Sequence, residues 1–273
     1  RPSMPELTGD EETLLELTAL AAANEGLEVT KWWHNKAVMR RYLGCGSGVL
    51  ETIPFLTRTL AWRAAHGVDT LNTNAMACAD ERSFRKQLLY HLASTDDGRP
   101  LLIQRVGAWD ISALTVAIED EHRRTAMQRS HILVSEAMRH TADARALIDG
   151  PCANAVLIFD LEEMGLRHLG AQTIFQFLGE LFKDDLDHFP NIIGSIVVVN
   201  APRTFSALWA IISRMLHPST AAKLVVFSYA AGMESKAKLR ELCGAARLPA
   251  ELGGDQEDAP PYHFPCAEES AHQ

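Results

Sequence analysis

Between residues 153 and 228 three short apolar runs, AVLIF at 155–159, IVVV at 196–199 and LVVF at 224–227, alternate with two helical segments. A strand with one wet face alternates apolar and polar residues, so runs without that alternation read as parallel strands covered on both faces. Strand, helix, strand, helix, strand is the grammar of an α/β sheet with right-handed crossovers. The first helical segment, about 166–187, is amphipathic: Ile174, Phe175, Leu178, Leu181 and Phe182 make one stripe opposite Lys183 and Asp184. The second differs. In TFSALWAIISRML (204–216) Phe205, Leu208, Trp209, Ile211, Ile212, Met215 and Leu216 wrap most of the helix, leaving Ser206, Ser213 and Arg214 as the polar remainder. Such a helix is either buried on both sides or faces something apolar.

The chain ahead of this stretch reads as two blocks. From Glu11 to about Asp80 the pattern is helical, with ETLLELTALAAANEGL, KWWHNKAVMRRYL, and a third segment carrying Ile53, Leu56 and Leu60 at turn-like spacing. Asp97-Gly98 then signals a tight turn before Leu101, Leu102 and Ile103, and helix returns over 117–148. The expected organisation is a small all-helical domain over 1–80, an α/β domain over 81–254, and a flexible, acidic, Pro-rich tail over 255–273.

Composition narrows the function classes. With 273 residues, 47% hydrophobic and 22% charged, the chain is in the globular range. A net charge of -9 argues against whole-surface attraction to nucleic acid or anionic lipid, and no nucleic-acid partner is expected. The sequence holds no run of roughly 18 apolar residues, and its first residues have neither a basic nor an apolar leader region, so it reads as soluble and unsecreted. Five cysteines at irregular spacings fit free thiols in a reducing compartment. No HExxH motif is present, and Asp185, Asp187 and His188 read as a solvated helix end, so no metal site is expected.

Three motifs bear on chemistry. GCGSG at 44–48 follows a helical segment, lacks the Lys-Ser/Thr of a phosphate loop, and reads as a turn closing the helix at Leu43; Ser47 is not the centre of a nucleophile elbow. Asp160 ends an apolar run, where an α/β sheet can place a catalytic carboxylate, but no His or Cys stands at a spacing that pairs with it. Thr220 and Lys223 stand before the last apolar run, just after the apolar helix, where one hydroxyl and one cation beside an apolar wall suit a phosphate ester; a surface lysine at a strand start is the alternative.

Taken as a set, these residues resemble the CRAL-TRIO family of lipid-binding domains. Phe189-Pro190, Gly194, Asn200-Ala201-Pro202, Pro218, Thr220, Lys223, Leu248-Pro249 and Gly253-Gly254 fill the family's run, and Asp97-Gly98-Arg99-Pro100 and Phe159-Asp160-Leu161 match it upstream. Arg41-Tyr42-Leu43 and Trp62-Arg63 resemble its helical N-terminal domain, so the resemblance covers roughly 35–254. It implies a mainly parallel sheet floor with flanking helices around a deep apolar pocket for one lipid, and helix 204–216 as a gate, with Phe205, Leu208, Trp209, Ile212 and Met215 as gate and pocket residues. By the same resemblance Glu180, Thr220 and Lys223 hold a phosphatidylinositol headgroup. Two departures stand out: the basic turn of phosphatidylinositol-binding members is Gly44-Cys45-Gly46-Ser47 here, with Arg40 one turn away, and the Ser and Thr of phosphatidylcholine-binding members are Ala155 and Leu157. The implied protein is a monomeric, cytoplasmic carrier, transiently peripheral to membranes, with no cofactor and no covalent chemistry. A less polar ligand (sterol, tocopherol-like isoprenoid or fatty acid) and a lipid-sensing scaffold are the alternatives.

Overall fold

The computed structural model describes residues 8–27, 36–44, 48–71, 90–149, 154–213 and 218–256. The tail from 257 onward, Cys45 to Ser47 of the Gly-rich turn, and Met215 lie outside the described residues.

Helices α1 (Gly9–Asn24), α2 (Lys36–Leu43) and α3 (Val49–Ala65) open the chain. Thr8 and Glu11 form a capping box at the start of α1, each side chain serving the other's backbone N–H. Leu14, Val38, Met39, Tyr42, Leu56 and Leu60 make one buried cluster among the three helices. Helix α2 ends at Leu43, as expected of a Gly-rich turn.

Strands β1 (Tyr90–Ser94) and β2 (Pro100–Arg105) form an antiparallel hairpin whose turn contains Gly98. Strands β3 (Ala155–Asp160), β4 (Ile193–Ala201) and β5 (Leu224–Ser228) follow, each parallel to its predecessor in a five-stranded sheet of order β1-β2-β3-β4-β5. Between β2 and β3 run α4 (Ile111–Glu119) and α5 (Glu121–Asp149); between β3 and β4, the short α6 (Leu166–Leu169) and α7 (Gln172–His188); between β4 and β5, α8 (Phe205–Ile212) and the short α9 (Pro218–Ala221). After β5 comes α10 (Gly232–Cys243). Sequential strand order with crossovers of one hand puts the connecting helices on the same face of the sheet. Side-chain alternation separates the faces accordingly. Leu102, Leu157 and Ile196 pack under α4, α5 and α7, while Leu101, Ile103, Val156, Ile158, Val197 and Val199 pack on Leu239 and Cys243 of α10 and on Leu248 and Leu252.

Full coverage on both faces, expected of all three apolar runs, holds for β3 and β4 only. Strand β5 is the sheet edge, and Val225 and Val226 are 44% and 39% exposed. Two motif positions have direct backbone explanations. Asn200 has a left-handed φ of 55° at the end of β4 and its Nδ2 donates to Asp160 Oδ1 at 2.8 Å, tying the ends of β3 and β4 together. A Cβ on Gly254 would fall 1.8 Å from the Leu248 carbonyl oxygen, so the return of the chain onto Leu248-Pro249 requires glycine there.

Candidate functional site

Between the sheet face under α4, α5 and α7 and those helices lies a cavity of about 710 Å³, within the size range of small-molecule sites. Its floor is Leu102, Gln104, Leu157, Phe159, Ile196 and Val198, the strand residues of one parity. Its walls come from α5 (His131, Val134, Met138) and α7 (Phe175, Leu178, Phe182), and Trp109 and Met164 contribute from connecting segments. Gly44 and Phe55 of the N-terminal helices also line it.

The end toward β5 carries the predicted residues. Phe205 and Trp209 of α8 line the cavity, their rings stacked at 6.2 Å between centroids. Leu208 and Ile212 belong to the same helix, but their side chains are outside those described. Thr220 is buried and Lys223 half-buried, and both reach the lining; Lys223 Nζ donates to the Ile193 carbonyl at 2.6 Å. Glu180 is not part of this group. It sits on the face of α7 opposite Phe175, Leu178 and Phe182, and its largely exposed carboxylate pairs with Arg124 of α5. Arg40 is engaged elsewhere as well, its Nε donating to Glu11 Oε1 at 2.7 Å. Leu157, one of the two positions at which the resemblance departs from phosphatidylcholine-binding members, lines the apolar floor.

Two other arrangements had no counterpart in the sequence reading. Asp185 and His188 are not a solvated helix end. Asp185 lines the cavity, its Oδ2 2.9 Å from His131 Nε2 and its Oδ1 accepting from Ser135 Oγ at 2.9 Å. Burial opposes the His131 imidazolium, yet the Asp185 carboxylate, with Asp184 near it, raises the His131 pKa above its ordinary value. His188 is buried and stacks on Trp62 at 4.3 Å, with Thr59 Oγ1 3.1 Å from its Nδ1; burial holds its pKa down, at about 4. The i, i+4 spacing of His131 and Ser135 on α5 was visible; their partner Asp185, 54 and 50 residues on, was not.

The second is a buried ion network joining the N-terminal helices to α5. Arg41 pairs with Asp143 (3.1 Å), Asp143 with Arg139 (2.6 Å), Arg139 with Glu136 (3.0 Å) and Glu136 with Arg63 (2.7 Å). Burial alone would raise the Glu136 pKa, but Arg139 and Arg63 override it and hold it at about 2. Asp160, weighed above as a catalytic carboxylate, accepts from the Glu162 backbone N–H and from Asn200, with Arg105 at 3.8 Å, and so closes a turn.

The fold and the site together define an α/β protein built around a largely apolar cavity with a few polar groups in its walls. The family model for the CRAL/TRIO domain matches residues 84–254. The chain therefore belongs to the CRAL/TRIO family, whose members are lipid-binding transfer proteins. It is 27% identical over 201 residues to Protein real-time of Anopheles gambiae, covering 73% of this chain and 28% of that protein. It is 28% identical over 208 residues to the phosphatidylinositol/phosphatidylcholine transfer protein SFH7 of Arabidopsis thaliana, covering 71% and 34%. With the Sec14 cytosolic factor of Schizosaccharomyces pombe it shares 24% identity over 223 residues, 78% of this chain and 74% of that one. The chain thus spans about a third or less of the first two relatives. Among solved structures it is similar in fold to Sfh5, with a TM-score of 0.61 at 12% identity, covering 93% of this chain and 90% of that one. Among the described residues no helix is long and apolar enough to cross a membrane.

Proposed function

We propose that the protein holds one lipid in this cavity and exchanges or presents it at membranes, with phosphatidylinositol as the leading ligand. The observation that carries the reading is the position of Thr220 and Lys223: both line an otherwise apolar cavity, at the end where Phe205 and Trp209 of α8 also line it. A hydroxyl and an ammonium in the lining suit a phosphate ester, and the apolar remainder suits acyl chains, each buried methylene contributing about 0.8 kcal/mol. Helix α8 serves as the gate, with Leu208 and Ile212 alongside Phe205 and Trp209; Met215, a gate residue by the resemblance, lies outside the described residues. Its apolar surround lets it meet lipid inside when closed and a bilayer when open. The working protein is a cytoplasmic monomer that contacts membranes transiently and performs no covalent step. The printed name of SFH7, a phosphatidylinositol/phosphatidylcholine transfer protein, is in keeping with this ligand class.

A less polar ligand is the second reading. It is favoured by the position of Glu180 outside the cavity and by the pairing of Arg40 with Glu11, which leave Lys223 as the cation from the predicted headgroup set that lines the cavity. Mass spectrometry of lipid extracted from the purified protein decides between them. Phosphatidylinositol in the extract supports the first reading; sterol or isoprenoid alone overturns it in favour of the second. Vesicle-to-vesicle transfer separates a carrier from a lipid-sensing scaffold, which binds without accelerating exchange.

A further inference from the structure

Among the described residues, the large hydrophobic side chains open to solvent are unevenly spread. Leu20, Leu50, Val116, Leu166 and Leu186 stand singly on α1, α3, α4, α6 and α7, whereas Val225, Val226, Tyr229 and Met233 follow one another where edge strand β5 turns into α10. Tyr229 and Met233 are 70% and 90% exposed. Single exposed apolar residues are ordinary, but a cluster of them marks a surface that meets something other than water.

Charge is uneven in the same place. The chain holds 35 Asp and Glu in 273 residues, yet none between Asp187 and Glu234. Burial accounts for their lack along β4, but not at Ser206, Ala210, Ala222 and Ser228, which are exposed. The basic residues of this segment are Arg203, Arg214 and Lys223. A surface that meets lipid phosphates is better without carboxylates, which would be repelled and would lose their hydration there. The corner also adjoins the cavity wall: Phe205 of α8 and Leu224 of β5 both line the cavity and pack on the same cluster of Leu161, Val198 and Ala201.

We propose that the corner from Val225 to Met233 is a membrane-docking surface, where Tyr229 and Met233 enter the interfacial layer of a bilayer and β5 brings α8 against it. A tyrosine ring suits that layer, its hydrocarbon body facing the acyl chains and its hydroxyl staying wet, and methionine adapts to irregular apolar contact. The segment lacks acids but is not polybasic: Lys223 donates to the Ile193 carbonyl, and farther along α10 Lys238 and Arg240 face Glu241 and Asp255. Contact is therefore mainly apolar. A second copy paired along the β5 edge is the competing occupant. It would set two acid-free, basic segments against each other, whereas lipid phosphates compensate Arg203 and Lys236, both exposed. The inference rests on the reading that the chain carries lipid, and it adds where on the surface exchange takes place.

The test uses the full chain and phosphatidylcholine vesicles containing labelled phosphatidylinositol or a labelled sterol. Tyr229→Ser with Met233→Ser is expected to lower co-sedimentation with the vesicles and the rate of exchange roughly tenfold, while the lipid content of the purified chain and its thermal midpoint stay as in the wild type. Tyr229→Phe with Met233→Leu should keep both, and Leu20→Ser with Leu50→Ser on the N-terminal helices should change neither. Undiminished co-sedimentation and exchange in the first variant, or an equal loss in the control on α1 and α3, overturns the inference and leaves the carrier reading standing. Light scattering that shows a dimeric wild type and a monomeric first variant assigns the corner to a second copy and also overturns it. A wild-type chain that purifies without lipid and exchanges neither probe overturns the carrier reading, and this inference with it.

Discussion

Lys223 reaches the cavity yet donates to a single backbone carbonyl, that of Ile193, so its removal takes away ligand contact more than framework. Lys223→Ala is expected to weaken phosphatidylinositol loading, by roughly ten- to a hundredfold for a lost charge-assisted bond of about 1.5–3 kcal/mol, with the thermal midpoint nearly unchanged. Unaltered loading would make Lys223 a surface residue of the strand start. His188 predicts a pH effect. Its folded pKa of about 4 lies below the ordinary 6.5, so the unfolded chain binds the extra proton first, and stability present above pH 6.5 is lost as pH falls toward 4. His131, with its pKa raised, works in the opposite sense, its contribution being complete below 6.5 and lost as pH rises through the folded value. His188→Phe, which keeps a ring against Trp62, should flatten the acid-side fall of the midpoint; an unchanged slope assigns the titration to another group. At this scale the sequence disclosed the motif residues but not their partners. Thr220 and Lys223 came from spacing, whereas the placing of Glu180 against Arg124, and of Asp185 against His131, depends on how α7 rotates against α5, which no local pattern encodes.

At the scale of elements, α5 is the joint. Glu136, Arg139 and Asp143 lie at i, i+3 and i+7 on one face of it, and they hold Arg63 of α3 and Arg41 of α2 in a setting where each residue is at most 5% exposed. A buried ion network contributes little against an apolar replacement, but breaking it strands a charge. Glu136→Gln takes from Arg63 and Arg139 the carboxylate they share, leaving them Asp69 and Asp143, and should cost about 3 kcal/mol in urea unfolding, the lower end for breaking a buried pair. A loss below about 1 kcal/mol would mean that water enters and rescues the guanidinium groups. The strands of the sheet were readable from the apolar runs because β3 and β4 are buried on both faces. The sequence overstated β5: an edge strand with the same Leu-Val-Val-Phe composition has the same pattern, and only topology tells which strand is last. Helix α8, proposed as the gate, stood out for the converse reason, since the apolar residues of its segment exceed what one packed face can use.

For the whole molecule, the net charge of -9 makes electrostatic capture by anionic membranes unfavourable, so the approach of the carrier should rest on apolar contact. Lipid exchange is therefore expected to change little, less than about threefold, between low and 0.15 M salt, where a polybasic docking surface would lose most of its attraction. A steep fall in rate with salt would place a basic surface at the docking step. The central claim is one lipid held in one cavity, and native mass spectrometry of the full chain tests it most directly, with the released lipid identified from the same sample. The expected spectrum shows the chain carrying a single lipid, phosphatidylinositol foremost. A chain that carries no lipid and takes none up from mixed vesicles would contradict the account.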